Sequence, residues 1–217
     1  MKLQFISDVA CPWCAIGLNS LEQALGRIGN DLQAELSLEP FELNPDMPPE
    51  GEDVLAYVAR KYGSSAEELA ERQALIRERG AEVGFTFGNR NRIWNTFDAH
   101  RLLHWAGTQG RQRELKHALL AAYHTRGENP GSHDVLARLA EEVGLDVERA
   151  RQILASDEFS QEVRQRVHHW QQLGINSVPS LIVNDAYLIQ GGHPPDEFEL
   201  ALRQIASERS ALGREPD

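Results

Sequence analysis

The chain has 217 residues, with 33 acidic against 22 basic side chains and a formal net charge of -11. That balance excludes a general grip on nucleic acid or an anionic membrane surface, which needs a concentrated excess of cations. Its 41% apolar content is ample for a packed core, and "MKLQFISDVAC" has neither a signal-peptide h-region nor a spanning segment, so the expected compartment is the cytoplasm.

Residues 3–7, "LQFIS", form a short apolar run ending at Asp8, and residues 34–41, "AELSLEPF", alternate with period two; both predict strands. Between them Ile16, Leu18, Leu21, Leu25 and Ile28 recur at near-helical spacing, with Pro12 at the first turn and Gly29 beyond the last. Strand, turn, helix, strand predicts a right-handed crossover, with two parallel strands and the turn at the carboxyl end of the first.

From Pro45 to about Gly174 helix signals follow one another. They include a Ser65–Glu68 capping box, caps at Thr96, Ser132 and Asp146, and Ser156 or Asp157 ahead of a long helix ending at Gly174. Residues 85–94, "FTFGNRNRIW", read as a loop. Strand character returns in "SLIVN" and "YLIQGG", joined by a turn at "DA", and "PPDEFELALRQIAS" predicts a closing helix that opens at proline. The last eight residues are expected to fray. The expected class is α/β, with residues 1–44 and 175–217 forming one discontinuous domain around an all-helical insertion of residues 45–174.

Both cysteines lie in "VACPWCAIG", residues 9–17. Three readings compete. Free cysteine can fill a core. The pair can supply two metal ligands, with His100 and His104 of "HRLLH" as the obvious partners one helical turn apart, though their distance along the chain is unlike a zinc finger's. The third reading is redox chemistry, and it is favoured. A reducing compartment disfavours structural disulfides, and a cysteine at a helix N-terminus meets free N–H groups and the positive end of the dipole, which stabilise a thiolate. Cys11 occupies that position as an exposed, attacking thiol, and Cys14, one turn in, is the shielded, resolving one. Asp8 opposes the effect by disfavouring a second negative charge. Far along the chain, "SVPSLIVN" places Pro179 immediately before a strand, where a missing donor is tolerated.

Three blocks, "ISDVACPWCAIG" (6–17), "NTFDAHRLLHWA" (95–106) and "GINSVPSLIVNDAYLIQGGHPPDEF" (174–198), together resemble the thioredoxin-fold oxidoreductases of the DsbA class. More closely, the chain resembles the cytoplasmic FrnE-like branch of the DsbA and 2-hydroxychromene-2-carboxylate isomerase superfamily. The resemblance implies a thioredoxin fold with a helical insertion and a thiol–disulfide oxidoreductase. Cys11 would be the nucleophile, Cys14 the resolving thiol and Pro179 a cis-proline facing them. Val178 would offer backbone groups to an incoming peptide or glutathione, and Pro12 and Trp13 would flank the sulfur. Asn95, His100 and Arg101 fall in the block lining the cleft, although a helix face packed at an interface accounts for His100 and Arg101 equally well.

FrnE-like proteins often carry glutamine where this chain has His193, which could assist proton transfer or simply lead into a helix. The isomerase relatives generally place serine at the first cysteine, so two thiols favour dithiol chemistry over a glutathione-dependent isomerase or transferase. The resemblance implies no cofactor beyond a redox-active Cys11–Cys14 disulfide, with glutathione admitted as co-substrate, and no metal. The partners implied are protein thiols, protein disulfides or glutathione, for either a monomer or a homodimer. Elsewhere, "ERQALIRERGAE" reads as a solvated charged face, His168-His169-Trp170 as exposed histidine beside buried tryptophan, and His117 and His124 as surface residues.

Overall fold

The computed structural model describes the backbone of residues 1–212 and side chains through residue 208. β1 (Lys2–Ser7) runs into α1 (Pro12–Ile28), followed by β2 (Glu35–Pro40). Next come β3 (Glu52–Asp53), α2 (Val54–Tyr62), α3 (Ala66–Glu82), β4 (Arg92–Ile93), α4 (Phe97–Thr108) and α5 (Gln112–Leu120). α6 (His133–Glu142), α7 (Val147–Leu154), α8 (Ser160–Gln172), β5 (Ser180–Val183), β6 (Tyr187–Gln190) and α9 (Pro195–Leu212) complete the order. No described helix is long and apolar enough to cross a membrane.

The five residues of β1 after Lys2 are all buried, because the strand lies inside a four-stranded sheet of order β2-β1-β5-β6. β2 pairs with it in parallel, with Phe5 opposite Leu38, as the crossover pattern predicts. β5 pairs antiparallel on the other side, with Phe5 opposite Leu181, and β6 follows it as a hairpin. α1 and α9 cover the sheet with Leu18, Leu21, Phe198 and Leu202. A second core joins Leu102, Leu115, Leu119, Leu136, Leu139 and Ile153 of α4 to α7. Val9 and Ala10 belong to this helical core, whereas Ala15 and Ile16 belong to the sheet core. The segment carrying Cys11 therefore bridges the seam between them.

The Ser65–Glu68 capping box forms as predicted, and Asp146 caps α7. Three expectations need correction. α8 begins at Ser160, after Phe159 at φ 62°, rather than just after Ser156 or Asp157. The Arg101 guanidinium takes the carbonyls of Ile153, Ser156 and Glu158, which winds residues 155–159 around it and delays the helix. The hairpin turn is centred on Asn184 and Asp185, not on Asp185 and Ala186; both adopt positive φ, 53° and 56°, which these two residue types tolerate. Lys2 fixes that turn, because its N–H donates to Asn184 Oδ1 at 3.0 Å and its carbonyl accepts from Asn184 N at 2.9 Å. The third is His124, which is buried. α5 continues into one widened turn, Ala121–Thr125, in which Arg126 N donates to Ala121 O, five residues back. That turn drives the His124 ring inward, where its Nε2 lies 2.8 Å from Val9 O.

The helical stretch also contains the ribbon β3–β4, where Glu52 pairs with Ile93, inside the segment expected to be a loop. Trp170 is buried beside exposed His168 and His169, and α3 is a largely solvated face, as expected. α9 continues through residue 212; the rest of the tail expected to fray lies outside the described residues.

Candidate active site

Cys11 is the N-cap of α1, in extended conformation, and Pro12 fills the first helical position. The proline loses nothing there, because that N–H has no helical acceptor. Cys14 N donates to Cys11 O at 3.1 Å, which closes the first turn and brings both thiols to one end of the helix. The Val178–Pro179 bond is cis, and Cys11 Sγ donates to Val178 O at 3.6 Å. Pro179 rests on α1 at Gly17: a Cβ on that glycine would lie 3.1 Å from Pro179 Cγ, so a side chain there would press the loop away.

Cys11 is only 5% exposed and Cys14 is fully buried. The expected exposed nucleophile is thus a recessed one, because the Val178 carbonyl closes over it, but the order of accessibility stands. Hydrogen bonding from the Cys14 thiol holds the Cys11 thiol below its ordinary pKa. Burial opposes this, the N–H groups of Cys14 and Trp13 help, and the Asp8 charge resists. Burial pushes Cys14 well above its ordinary value, reinforced by its bond to Cys11 and the like charge there, and Lys116 pulls it partly back.

Asp8 is fully buried behind the pair. Its Oδ1 accepts from Ala10 N at 3.0 Å and Thr96 Oγ1 at 2.7 Å and lies 3.4 Å from His100 Nε2, while its Oδ2 accepts from Leu43 N at 2.7 Å. Burial would raise its pKa, yet His100 and the two backbone donors outweigh that and hold it below the usual carboxylate value. Burial keeps His100 below its own ordinary value despite the pull of Asp8, so a neutral ring donating to an ionised Asp8 fits both directions. His124 is pushed down to about 3, first by burial and then by Arg90. It is neutral, so its Nε2–H donates to Val9 O, and Arg90 bonds Ala10 O at 3.0 Å. Two backbone carbonyls just before Cys11 are thus pinned by the helical core.

The family model described as "DSBA-like thioredoxin domain" matches residues 2–203. The chain belongs to that family. Among curated proteins it is similar to the uncharacterized protein YwbO of Bacillus subtilis (strain 168), 29% identical over 205 residues, covering 93% of this chain and 96% of that protein. Among solved structures it is similar to a probable DsbA oxidoreductase, SCO1869, from Streptomyces coelicolor, with 32% identity and TM-score 0.91 over 100% of this chain and 92% of the other. The cytosolic disulfide reductase DsbM from Pseudomonas aeruginosa, solved with GSH, shares the fold, with 15% identity and TM-score 0.67 over 95% of this chain and 100% of that one.

In this DSBA-like chain the structure brings Cys11, Cys14, Val178 and Pro179 together and sets His100 one layer behind them, against Asp8. Pro12 lines a small groove with Gln73, Ile76, Arg77, Phe87 and Arg90, beside Cys11. Trp13 is half-buried against the sheet core, and its carbonyl lies where a Cβ on Gly192 would come within 2.9 Å. Asn95 is engaged elsewhere: its amide donates to Pro45 O and Met47 O, and its Oδ1 accepts from Phe97 N. The two ring nitrogens of His193 face Glu197 Oε2 and Gln190 O, both at 2.7 Å, within its own segment. Arg101 is structural, tying α4 to the α7–α8 connection. Among the described residues no group of three or more His, Cys, Asp or Glu side chains is arranged to hold a metal ion.

Sequence reasoning passed over Lys116, Thr96 as a partner of Asp8, and Arg90. Lys116 left a signal, since it falls between Leu115 and Leu119 on the buried stripe of α5.

Proposed function

We propose that this protein is a thiol–disulfide oxidoreductase acting through the Cys11–Cys14 pair, on protein thiols and disulfides or on small thiols such as glutathione, in the cytoplasm. The observation that carries the reading is geometric: two thiols one turn apart at the N-terminus of α1, with Cys11 at the N-cap, Cys14 N donating to Cys11 O at 3.1 Å, and Cys11 Sγ 3.6 Å from Val178 O across the site. The Cys11 thiolate attacks one sulfur of a substrate disulfide, and the other sulfur leaves as a thiolate. Cys14 then attacks Cys11 in the mixed disulfide, releasing the second substrate thiolate and leaving a Cys11–Cys14 disulfide. Two substrate sulfurs are reduced and two cysteines oxidised; the reverse sequence oxidises a substrate dithiol. The Val178 carbonyl beside Cys11 offers an incoming chain a backbone acceptor. The cytosolic DsbM, with its bound GSH, supports a small thiol as one substrate and the compartment as well.

The test is a Cys14→Ser variant exposed to cell extract, with insulin reduction by the unaltered protein in parallel. Mixed disulfides on Cys11 that dithiothreitol releases, together with insulin turnover, are expected. No adducts and an inert protein would end this reading. Glutathione-dependent turnover of an aromatic substrate that survives Cys14→Ser would replace it with the isomerase chemistry.

A further inference from the structure

Lys116 lies on the buried stripe of α5, only 1% exposed, and its amine has no hydrogen-bond partner among the described residues. The carboxylates around it are spent on other donors. Asp8 gives its oxygens to Ala10, Thr96, His100 and Leu43. Glu39 Oε2 accepts from Arg166 Nε and Nη2, at 2.9 and 2.7 Å, and from Trp170 Nε1 at 3.4 Å. A buried cation without an acceptor is costly, and burial accordingly holds Lys116 below its ordinary pKa. The buried side-chain atoms sealed in protein without a partner lie elsewhere, at Gln4, Ser7, Ser20 and Asn184. Lys116 Nζ is not among them, because it faces a cavity of about 170 Å³ that its side chain lines.

The cavity opens between β2, the edge strand of the sheet, and helices α4, α5 and α8. Buried Lys116 and Leu103 form its floor, and half-buried His104, Gln112 and Arg166 its rim. Gln112 is fully engaged, since its Oε1 accepts from Leu38 N at 3.2 Å and its Nε2 donates to Leu38 O at 3.0 Å. It closes the strand edge. The groups left without a partner are donors. The His104 ring packs on Phe159 with centroids 5.2 Å apart and makes no hydrogen bond among the described residues. Arg166 is fixed by Glu39 and lies 4.7 Å over the Trp170 ring, with Nη1 to spare.

From this placement we propose that the cavity binds a small monocarboxylate, its carboxylate paired with Lys116 and its short hydrocarbon body against Leu38, Pro40 and Leu103. Charge selects one negative group. Arg166 and Glu39 offset each other, which leaves Lys116 as the uncompensated cation, and the Glu39 carboxylate in the wall opposes a dianion such as phosphate. Size selects a short acid. The space holds about five waters, which suits propionate or butyrate and excludes a tripeptide such as glutathione. None of Cys11, Cys14, Val178 and Pro179 lines it, so this site is separate from the thiol site and stands whether or not the thiol pair exchanges disulfides.

The experiment titrates sodium propionate into the reduced protein, in chloride at constant ionic strength, and follows binding by calorimetry and amide NMR. One saturable site is expected, with a Kd on the order of 1 mM. The amide shifts should concentrate at residues 37–40, 103–104, 112–116 and 166. Propionamide, of the same shape without the charge, should bind at least about tenfold more weakly. Lys116→Met removes an unpaired buried charge, so the fold should hold, and propionate affinity should fall at least about tenfold. Should that variant fail to fold, propionate against propionamide in the unaltered protein decides. The assignment is overturned by no saturation up to about 50 mM, by equal affinity for propionamide, or by a folded Lys116→Met that binds as its parent does. Shifts centred on residues 11–14 and 177–179 would overturn it too, by assigning the acid to the thiol site. Inorganic phosphate binding more tightly at the same residues would replace the monocarboxylate with a dianion and equally end the proposal.

Discussion

Thr96 stands at the N-cap of α4, yet its hydroxyl donates to Asp8 Oδ1 at 2.7 Å instead of accepting from the helix's own N–H groups. The helix forgoes its cap so that a carboxylate buried under the thiol pair keeps a donor. A hydrogen bond to a charged group contributes about 1.5–3 kcal/mol, so Thr96→Val should cost about 2 kcal/mol at pH 7 in urea unfolding. Asp8 has a depressed folded pKa, so its contribution is present above the unfolded value of 3.8 and disappears as pH falls through the folded one. The deficit should accordingly narrow at pH 3, and equal stability of the two proteins at pH 7 would show that Asp8 does not depend on Thr96.

The Cys11 thiolate depends most on Cys14 and is opposed by Asp8. Substitution should therefore move it in opposite directions. Cys14→Ala removes the donating thiol and should raise the pH midpoint of Cys11 alkylation by iodoacetamide, whereas Asp8→Asn should lower it. Alanine is needed here, since the serine used for trapping can still donate. A midpoint unmoved by Cys14→Ala would mean that the helix N-terminus, rather than its neighbour, sets the reactivity of Cys11.

The sheet and its crossover were legible in the sequence because they rest on local rules: an apolar run in β1, alternation in β2, and Pro12 and Gly29 bracketing α1. The cysteine turn and Pro179 were legible for the same reason, helped by the family pattern. What escaped depends on partners distant in the chain. Ser156 looks like a cap until Arg101 takes its carbonyl from 55 residues away. His124 looks polar and superficial until the widened turn carries it onto Val9, 115 residues earlier. Cys11 looks exposed until Val178, 167 residues later, covers it.

Arg101 shows how much one such distant partner carries. Its guanidinium pairs with Asp98 at 2.8 Å and bonds three carbonyls of the α7–α8 connection, and the side chain is almost wholly buried. Arg101→Met leaves those carbonyls and the Asp98 carboxylate short of donors and should destabilise the protein by about 3–5 kcal/mol. Arg101→Lys should recover only part of that, because one ammonium cannot reproduce a planar fork. Chemical denaturation separates the three proteins, and a Met variant within 1 kcal/mol of the parent, on the order of a surface substitution, would contradict the buried hydrogen-bond network.

Glu42 supplies a stability effect of the opposite sign to Asp8. Burial, then the Asp8 charge, push its carboxyl up to about 7, with Arg164 opposing and Asp46 adding a little. Between the unfolded value of 4.5 and about 7 the folded chain holds a proton that the unfolded chain has lost, so stability falls as pH rises through that window. The full shift would correspond to about 3 kcal/mol, and solvent screening of a half-buried side chain reduces it to about 1–2 kcal/mol. Glutamine has nearly the shape of the protonated acid and cannot ionise. Glu42→Gln should therefore leave the melting temperature almost unchanged at pH 5 and raise it at pH 8, flattening the decline between them. If the parent and the variant melt together at pH 8, the Glu42 carboxylate is already accommodated beside Asp8, and the pH dependence of stability must come from another group.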